Sequence, residues 1–540
     1  MKERLDCIVI GYNEMPFHEY EGLVRQYGQT SEAYRDLQFS FVEIEGSKYT
    51  YVDLLNRAYK SANEGLGPQV PFQSCAIPNL AAVYLTHYLQ RKGMNATYIN
   101  LFQESKDLLA KLLENDPVCV AITTTFYVVN APLRQMTEFI RACNPRVPII
   151  AGGPLIGNHS RSMGVDALLA DAGADIYVIE SQGEATLARL VKRLREGGPL
   201  EDIPNLGWLV NGRLHRTASE HEENSLDETA IDWRAFEPTE LGSTIQTRTA
   251  RSCAFKCAFC NYPSRAGQLA LASLGTIERE LDSIQSLGQI KNVVFIDDTF
   301  NVPLPRFKDI CRLLINKRYG FNWYSYFRCA NSDHEAIELM AESGCKGVFL
   351  GIESGSPRIL KAMNKAATVE KYEEGIAALR RYGILTFASF IVGFPGENAD
   401  SVAETTAFIQ RAKPDYYRAQ LWYCEPGTPI YNQRILYGIT GEGFVWKHMG
   451  MASLEAMGHI ERMFLEIDES EWLPQWSFDF WIIPYLIGRG LTPDSFRRFM
   501  AAANSLLKAE IAYLPVSKKA SFQSEPLRKL VDAAQTWHIQ

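Results

Sequence analysis

The sequence has no apolar run long enough to cross a membrane and no excess of positive charge. Its first residues, MKERLDCIVIGYNE, hold too short an apolar run for a signal peptide. The most apolar late stretch, Phe480 to Ile487, is interrupted by Pro484 and is too short to span a bilayer. There are 55 Lys and Arg against 63 Asp and Glu, for a net charge of −8. We therefore expect neither a membrane nor a nucleic acid to be the main partner.

The sequence also has no repeat of solenoid period and no low-complexity tail. Its hydrophobic content of 46% and charged content of 22% are those of an ordinary globular protein. At roughly 150 to 200 residues per domain, the 540 residues correspond to about three domains.

The 11 cysteines do not form a disulfide framework, because they are scattered through a chain without a secretory leader. We expect a reducing cytoplasm. Three of them nevertheless stand together as Cys253, Cys257 and Cys260, with C-x₃-C-x₂-C spacing on a loop that follows an extended run. Thiolates are soft ligands that suit iron–sulfur clusters or zinc.

Three thiols are one ligand too few for a closed metal site. Structural zinc normally takes four ligands, and no C-x₂-C or H-x₃-H partner follows downstream. The spacing favours a [4Fe–4S] cluster with one iron open to a small molecule; zinc and a chance grouping of buried cysteines are the alternatives.

The first 235 residues alternate apolar runs with amphipathic segments, which predicts a doubly wound parallel sheet. The expected strands are 5–11, 96–101, 118–123, 147–151 and 176–179, and the expected helices are 80–93, 107–114 and 132–142 with another opening at Glu184. Residues 12–75 carry no assignable role. Residues 195–240 are polar and rich in turn residues, which suits a linker or strap.

Ligands on such sheets bind at the carboxyl ends of the strands. The residues expected there are small, hydroxylated or flexible, and they are Thr123, Thr124, Thr125, Gly152, Gly153, Gln182, Gly183 and Glu184. Glycines at these positions let a large flat cofactor approach the backbone. The alternative is an ordinary Rossmann-like domain whose glycines only make turns.

From residue 244 to residue 421 strand and helix alternate six times, which is typical of a partial βα barrel. The expected strands are 244–249, 292–296, 321–327, 346–352, 385–391 and 415–421. Active residues in βα barrels lie at the carboxyl ends of the strands.

Those strand ends are polar in this sequence. Asp297 and Asp298 follow the second strand and can hold an ammonium group, although an Asp at this position also suits a helix N-cap. Arg328 follows the third strand, where it can bind an anion or form a plain salt bridge. Glu353 and Ser354 follow the fourth strand in the turn Gly-Ile-Glu-Ser-Gly, and a glutamate there can accept from vicinal hydroxyls.

Residues 431–540 are expected to be mostly helical. The stretch from residue 471 to residue 481, EWLPQWSFDFW, is densely aromatic. Large aromatic side chains dominate cores, so this stretch is expected to pack a helical cap onto the barrel. In the alternative interpretation Trp472, Trp476 or Tyr485 walls the reaction cleft and excludes water.

The cysteine loop resembles that of the radical S-adenosylmethionine (SAM) enzymes. The resemblance implies that the open iron chelates SAM and that Phe259 lies beside the adenine. It further implies that Asp298 binds the SAM amino group, that Glu353 and Ser354 belong to the ribose turn, and that the turn at Gly393 lies beside the adenine. Arg328 would then pair with the SAM carboxylate or with an anionic substrate.

The α/β sheet directly before this loop resembles the cobalamin-binding domain of class B radical SAM enzymes. Its Thr-rich loop and Gly-Gly turn would surround the cofactor's nucleotide tail. The D-x-H-x-x-G signature that supplies a histidine to cobalt is absent, since neither His87 nor His159 has the right flanks. Many cobalamin-dependent radical SAM enzymes lack it too, so the lower cobalt ligand stays open.

Within class B, four stretches look most like the P-methyltransferases of phosphinothricin biosynthesis: DCIVIGYNE, TRTARSCAFKCAFCNYPSRAG, FIDDTFNVPLPRFKDIC and QWSFDFWIIPYL. The implied reaction uses a [4Fe–4S] cluster, SAM and methylcobalamin to methylate a phosphinate phosphorus or a carbon. Cys253, Cys257 and Cys260 would hold the cluster, while Arg328, Arg418, Lys365 and Arg251 are candidate anion-binding residues.

This resemblance implies three domains: a cobalamin-binding domain over 1–235, a radical SAM partial barrel over 236–430 and a helical cap over 431–540. The expected partners are a small, anionic substrate and a flavodoxin- or ferredoxin-type electron donor. Two rival functions remain: a cobalamin-dependent radical enzyme that performs rearrangement, oxidation or transfer of another SAM fragment, and a non-catalytic cobalamin or redox sensor.

Overall fold

The computed structural model of the chain describes residues 4–63, 70–73, 76–476 and 478–512. Part of the expected helical cap, residues 513–540 and Ser477, lies outside the described residues, as do residues 1–3, 64–69, 74 and 75 of the expected first domain. The chain divides into two compact units. The first comprises Met1–Pro16, Cys75–Gly242 and Ala270–Gly288, and the second comprises Phe17–Ser74, Ser243–Leu269 and Gln289–Gln540.

The strands, numbered along the chain, are β1 (Cys7–Tyr12), β2 (Phe41–Ile44), β3 (Ser47–Thr50), β4 (Ala96–Leu101), β5 (Cys119–Thr123), β6 (Ile149–Gly152), β7 (Ile176–Val178), β8 (Leu206–Val210), β9 (Arg213–Arg216), β10 (Thr244–Thr247), β11 (Ala250–Arg251), β12 (Ala270–Leu271), β13 (Asn292–Phe295), β14 (Asn322–Phe327), β15 (Cys345–Glu353), β16 (Leu385–Val392), β17 (Tyr416–Leu421), β18 (Thr440–Glu442), β19 (Val445–Lys447) and β20 (Glu471–Trp472).

The helices are α1 (Phe17–Arg25), α2 (Glu32–Gln38), α3 (Tyr51–Ala62), α4 (Leu80–Arg91), α5 (Lys106–Glu114), α6 (Ala131–Cys143), α7 (Pro154–His159), α8 (Val165–Ala172), α9 (Glu184–Glu196), α10 (Leu226–Thr229), α11 (Pro238–Leu241), α12 (Tyr262–Ala266), α13 (Leu274–Ser286), α14 (Leu304–Lys317), α15 (His334–Glu342), α16 (Pro357–Ala362), α17 (Val369–Arg381), α18 (Ala399–Ala412), α19 (Arg434–Tyr437), α20 (Ser453–Glu466), α21 (Ile482–Gly488) and α22 (Pro493–Ala512).

The first unit is built on a seven-stranded sheet in the order β4-β1-β5-β6-β7-β8-β9. The first five strands are parallel, as the alternating apolar runs predict, while β8 and β9 are antiparallel to their neighbours. Strand β1 is apolar on both faces because helices cover both, and its first five residues are fully buried. The hairpin β8–β9 falls in residues 195–240, where a linker or strap is expected. Strand β8 is apolar and partly buried, whereas β9 is polar and mostly exposed.

The second unit holds a parallel seven-stranded sheet in the order β10-β13-β14-β15-β16-β17-β20. The six strands expected from the sequence are all present, with bounds that agree within two residues. The short seventh strand, β20, extends the sheet beyond the sixth. Its two residues come from the aromatic stretch that is expected to be helical.

The aromatic stretch runs from the last barrel strand back to the first. At one end of the stretch, β20 pairs with β17. At the other end is α21, in which the carbonyl oxygen of Pro484 accepts hydrogen bonds from Thr244 Oγ1 of β10 (3.2 Å) and Asn292 Nδ2 of β13 (2.8 Å). Between these points Phe480 packs against Phe349 and Phe387, with ring centroids 5.8 and 6.1 Å apart. The stretch therefore bridges the open side of the partial barrel and fills part of its interior.

Residues 17–63, whose role the sequence leaves open, pack in the second unit against the C-terminal helices. Arg35 of α2 pairs with Glu461 of α20 at 2.7 Å, and Tyr51 donates to Asn504 Oδ1 of α22 at 2.8 Å. Tyr20 stacks on Trp476 with ring centroids 4.2 Å apart. This segment and the C-terminal helices thus form one layer, in which the aromatic residues pack as a core.

Candidate active site

The cysteine loop is held by backbone hydrogen bonds from two other loops of the second unit. The amide of Ala258 donates to the carbonyl of Met363 (2.8 Å), and the amide of Ile430 donates to the carbonyl of Ala258 (2.9 Å). Asn364 Nδ2 donates to the carbonyl of Lys256 (2.8 Å). These hydrogen bonds fix the loop from both sides.

The three thiols lie close enough to interact. Burial, aided by the nearby Cys257, Asp298 and Cys253 and opposed by a backbone hydrogen bond from Tyr262, raises the pKa of Cys260 to about 11. Cys257 is buried, and the other two cysteines are partly buried. A set of soft sulfur donors with limited solvent access fits an iron–sulfur cluster.

Among the described residues, no group of three His, Cys, Asp or Glu side chains is placed to hold a single metal ion. A four-iron cluster sets a different requirement, because each of its thiolates binds a separate iron atom.

Two adjacent carboxyl groups beside this loop have different surroundings. Asp297 is buried and accepts from the amides of Thr249 (2.6 Å) and Ala250 (3.0 Å) and from the Thr249 hydroxyl, so its oxygens are used to hold the end of β10. Burial and the charge of Asp297 raise the pKa of Asp298 to about 7. Asp298 itself is exposed to solvent. A carboxyl beside a second one is stabilised in its charged form by a cation, which fits the predicted contact with an amino group.

Arg328 lies against the cysteine loop. Its guanidinium carbon is 3.7 Å from the ring centroid of Phe255, which stands between the first two cysteines. The residue is buried, and its Nη2 has no hydrogen-bond partner among the described residues. A buried guanidinium with an unused donor fits an anion, as the sequence predicts.

Glu353 stands in an ion pair near the same loop. Its Oε1 lies 2.9 Å from Lys365 Nζ, and both side chains are about nine-tenths buried. Lys365 in turn lies 5.4 Å from the ring centroid of Phe259. The glutamate adopts a φ of 70°, and a Cβ on Gly351 would meet its Oε1 at 2.6 Å. The turn therefore holds this carboxylate in one position through a strained backbone and a charged partner.

Ser354 is placed differently from Glu353. It is fully buried, its hydroxyl lies 3.3 Å from Thr405 Oγ1 and accepts from the amide of Ser356 at 3.1 Å, and the amide of Gly355 donates to the same Thr405 oxygen. These contacts fasten the turn to α18, so the hydroxyl serves the shape of the turn.

Gly393 is enclosed by side chains of the hairpin and helix that follow the barrel. Its φ is +89°, and a Cβ there would meet Trp446 Cη2 at 2.3 Å. The Gly393 amide donates to Glu397 at 2.5 Å, and its carbonyl lies 3.1 Å from His448 Nε2. Burial raises the pKa of Glu397 to about 7. Only glycine fits this turn, which sits at the carboxyl end of β16 as expected.

In the first unit, the carboxyl ends of β5 and β6 are joined tightly. Thr124 donates from its amide and its hydroxyl to the carbonyl of Gly152, both at 2.9 Å, and Thr123 Oγ1 donates to the carbonyl of Gly11 at 2.9 Å. Thr125 is exposed. A Cβ on Gly153, whose φ is +112°, would meet Thr124 Oγ1 at 2.9 Å. This edge of the sheet is therefore made largely of main-chain atoms and small side chains, which suits the approach of a large flat cofactor.

The third strand end of this unit is covered by a polar segment from residues 195–240. Asn224 donates from its amide and side chain to Gln182 Oε1 and from its side chain to Glu184 Oε2. Glu222 accepts from the first amides of α9 at 2.8 and 2.9 Å, next to Gly183. Thus Gln182 and Glu184 are engaged by this segment, which acts as the expected strap over the turn.

Three residues at these sites were not assigned there from sequence. The ring of Phe255 packs against the guanidinium of Arg328, Trp446 lies against Gly393, and Asn224 donates a hydrogen bond to Gln182. Phe255 stands inside the cysteine motif, so its position marks it. Trp446 and Asn224 are distant along the chain from the residues they contact and carry no sequence signal.

Two segments of the chain match known families. Residues 247–409 match the Radical SAM superfamily, and residues 76–191 match the B12 binding domain. The chain is therefore an enzyme that combines a B12-binding domain with a radical SAM domain. Its cofactors are a [4Fe–4S] cluster, SAM and cobalamin.

Individual proteins resemble the chain at low identity. It is 26% identical to an uncharacterised methyltransferase of Pyrococcus horikoshii over 61% of this chain and 72% of that protein. It is 24% identical to the anaerobic magnesium-protoporphyrin IX monomethyl ester cyclase of Rubrivivax gelatinosus over 66% of each. The solved structure of the radical SAM methyltransferase TsrM from Kitasatospora setae, with cobalamin and a [4Fe–4S] cluster bound, matches with a TM-score of 0.54 and 21% identity over 66% of this chain and 71% of that one.

No helix in the described parts of the chain is long and apolar enough to span a membrane.

Proposed function

We propose that the chain transfers a methyl group to an unactivated centre of a small anionic molecule, either a phosphinate phosphorus, as in phosphinothricin biosynthesis, or a carbon. The observation that carries the proposal is the pairing, in one chain, of a B12-binding segment with a thiol loop near which the buried Arg328 and Glu353 and the solvent-exposed Asp298 stand. The uncharacterised methyltransferase relative and the TsrM fold support the methyl-transfer class.

Each candidate residue has a role that its surroundings support. Cys253, Cys257 and Cys260 hold the cluster, Asp298 accepts from the SAM amino group, and Glu353 accepts from the ribose hydroxyls. Phe259 and the turn at Gly393 flank the adenine, with Ser354 shaping the ribose turn. When bound, the cluster and SAM supply hydrogen abstraction and cobalamin supplies the methyl group.

The backbone edge of the first unit suits the cobalamin in this proposal. Thr123, Thr124, Gly152 and Gly153 bring main chain close to the surface, and Gln182, Gly183 and Glu184 form the neighbouring turn. A flavodoxin- or ferredoxin-type donor would reduce the cluster. The ten described cysteines are all free, which agrees with the proposed reducing, cytoplasmic setting.

Isotope transfer tests the proposal. The protein is purified anaerobically with cobalamin, reduced, and incubated with CD₃-labelled SAM and an amino acid bearing a P–H phosphinate. We expect a product that carries the CD₃ group, and we expect Cys257→Ala to abolish it. Cys143→Ser, which changes an exposed thiol of α6, serves as the matched control and retains activity. A product without CD₃, formed together with 5′-deoxyadenosine, contradicts methyl transfer to this compound.

The cyclase relative favours a second candidate function, a radical reaction that does not methylate. The same experiment separates the two, because a cyclisation or oxidation changes the product mass without adding label from SAM. A protein that releases no 5′-deoxyadenosine with any substrate would instead fit a cobalamin or redox sensor.

A further inference from the structure

A buried arginine inside the barrel has donors that no described residue uses. Arg418 lies on β17 opposite Ser389 of β16, and the residue is 2% exposed. Its Nη2 donates to Asp479 Oδ1 at 2.7 Å, whereas its Nε and Nη1 have no hydrogen-bond partner among the described residues. Burying N–H donors of a charged group without acceptors is costly, so this geometry favours an additional acceptor.

The surroundings of Arg418 hold it rigidly. Its guanidinium carbon lies 5.3 Å from the ring centroid of Phe387, which packs against Phe349 and Phe480. Asp479 comes from the stretch that bridges the barrel's open side, and its side chain is 41% exposed. The ion pair thus joins a buried cation to a carboxylate that reaches solvent.

The same interior region extends toward the predicted SAM contacts. Burial raises the pKa of Tyr326, and the charges of Asp479 and Asp298 raise it further, while that of Arg418 opposes them. Tyr326 therefore lies within electrostatic range of both Arg418 and Asp298. Arg328, by contrast, stacks on Phe255 of the cysteine loop. Arg328 and Arg418 are thus both buried arginines with N–H donors that have no hydrogen-bond partner among the described residues, one against the cysteine loop and the other on β17.

We propose that Arg418 is the substrate-anchoring residue of the barrel and binds an oxyanion of the substrate, a phosphinate or carboxylate, with Asp479 positioning its guanidinium. This assignment rests on the proposed function, to which it adds the substrate class. The planar guanidinium matches a two-oxygen anion in geometry as well as charge. Anchoring a substrate this way would fix its reacting atom relative to the bound cofactors.

Direct anion binding tests the proposal without requiring turnover. The probes are hypophosphite, the smallest P–H oxyanion, and acetate, titrated calorimetrically into the cluster- and cobalamin-loaded protein. We expect Arg418→Met to weaken binding of the preferred anion by about 10- to 100-fold, since a charge-assisted hydrogen bond is lost. Arg418→Lys should weaken anion binding less than Arg418→Met does, because lysine keeps the positive charge but lacks the paired N–H donors of the guanidinium. Arg411→Gln, which removes an exposed arginine paired with Glu373, is the control and leaves binding unchanged.

A second variant keeps the test decisive if Arg418→Met does not fold. Asp479→Asn removes the competing carboxylate but retains an amide that can accept from Nη2. We expect it to tighten anion binding several-fold. Anion binding that is unchanged by Asp479→Asn and by Arg418→Lys would show a purely structural ion pair and overturn the proposal.

Binding of labelled SAM to the same variants identifies the source of the oxyanion. If Arg418 binds substrate, the SAM dissociation constant stays within about twofold while anion binding falls. If Arg418 instead binds the SAM carboxylate, SAM binding falls and hypophosphite and acetate binding do not, which overturns the proposal. Failure of methyl transfer with intact, Arg418-dependent anion binding would contradict the proposed reaction and leave the anchoring role supported.

Discussion

The two sheets of this chain present different chemistry at the carboxyl ends of their strands. In the first unit the ends of β5 and β6 consist of threonine hydroxyls, glycines and backbone, and the amide and hydroxyl of Thr124 donate to Gly152. In the second unit the strand ends carry charge: the buried Arg328 and Glu353–Lys365 pair, and the solvent-exposed Asp298. Both edges follow one rule of parallel sheets, that ligands meet the strand ends.

The difference matches what each edge would hold. A large cofactor with many amide groups is bound by close backbone approach, and shape decides the fit. A small zwitterion such as SAM is bound by charges, which act strongly only where water is excluded. The comparison predicts that changes in charge will damage the second unit most and that changes in volume will damage the first.

The largest effect is expected at the thiols. Cys257→Ala removes a proposed cluster ligand, so iron and sulfide content and 5′-deoxyadenosine release should fall to background. Cobalt content should persist, because the B12-binding segment is a separate unit. Iron, sulfide and cobalt are all measured in one anaerobic sample. Loss of cobalt together with iron would break the comparison by showing that the two sites are interdependent.

The next largest effect is expected at the buried ion pair. Glu353→Gln leaves Lys365 without its carboxylate, which should lower the free energy of unfolding by about 3–5 kcal/mol and weaken SAM binding. Adding Lys365→Met should recover most of the stability without restoring SAM affinity. Denaturant unfolding and equilibrium dialysis provide the measurements. Recovery of SAM binding in the double variant would show that Glu353 acts only through its ion pair.

A smaller effect is expected from added volume at the first edge. Gly153→Ala places a Cβ 2.9 Å from Thr124 Oγ1 at a φ of +112°. The backbone of Gly153, with φ 112° and ψ −167°, lies in a region that is essentially restricted to glycine. Another residue there costs about 1–3 kcal/mol, so we expect cobalamin retention to fall about tenfold while the cluster forms normally. Gly157→Ala, four residues on with no atom within 4 Å of the added Cβ, is the matched control. Equal loss of cobalt in both variants would exclude the steric explanation.

The smallest effect is a pH dependence in the second unit. The pKa of Glu397 is raised from 4.5 to about 7 by burial, so the folded state binds more protons than the unfolded state between those values. Stability should therefore fall as the pH rises from about 4.5 to 7. Glu397→Gln should flatten the slope of unfolding free energy against pH by up to one proton, whereas Glu404→Gln on the exposed face of α18 should not. An unchanged slope in Glu397→Gln would contradict the assignment.

Local patterns in the sequence determined most of the two sheets. The apolar run at Cys7–Tyr12, the helices of the first sheet and the six barrel strands can be predicted from sequence because burial on a sheet or helix face repeats along the chain. The three thiols and the acidic strand ends can also be identified from the sequence, because each motif lies within a few consecutive residues. Their roles in binding remain predictions.

Only the tertiary structure decided which distant residues meet. It placed residues 17–63 against α20 and α22, paired Glu353 with Lys365, and brought Asp479 from the C-terminal stretch to Arg418 on β17. It also showed that the aromatic stretch, expected to be helical, crosses the open side of the barrel as a short strand followed by an irregular segment. These contacts join side chains that are far apart in the chain, so no local pattern in the sequence predicts them. They depend on how whole helices and strands pack together.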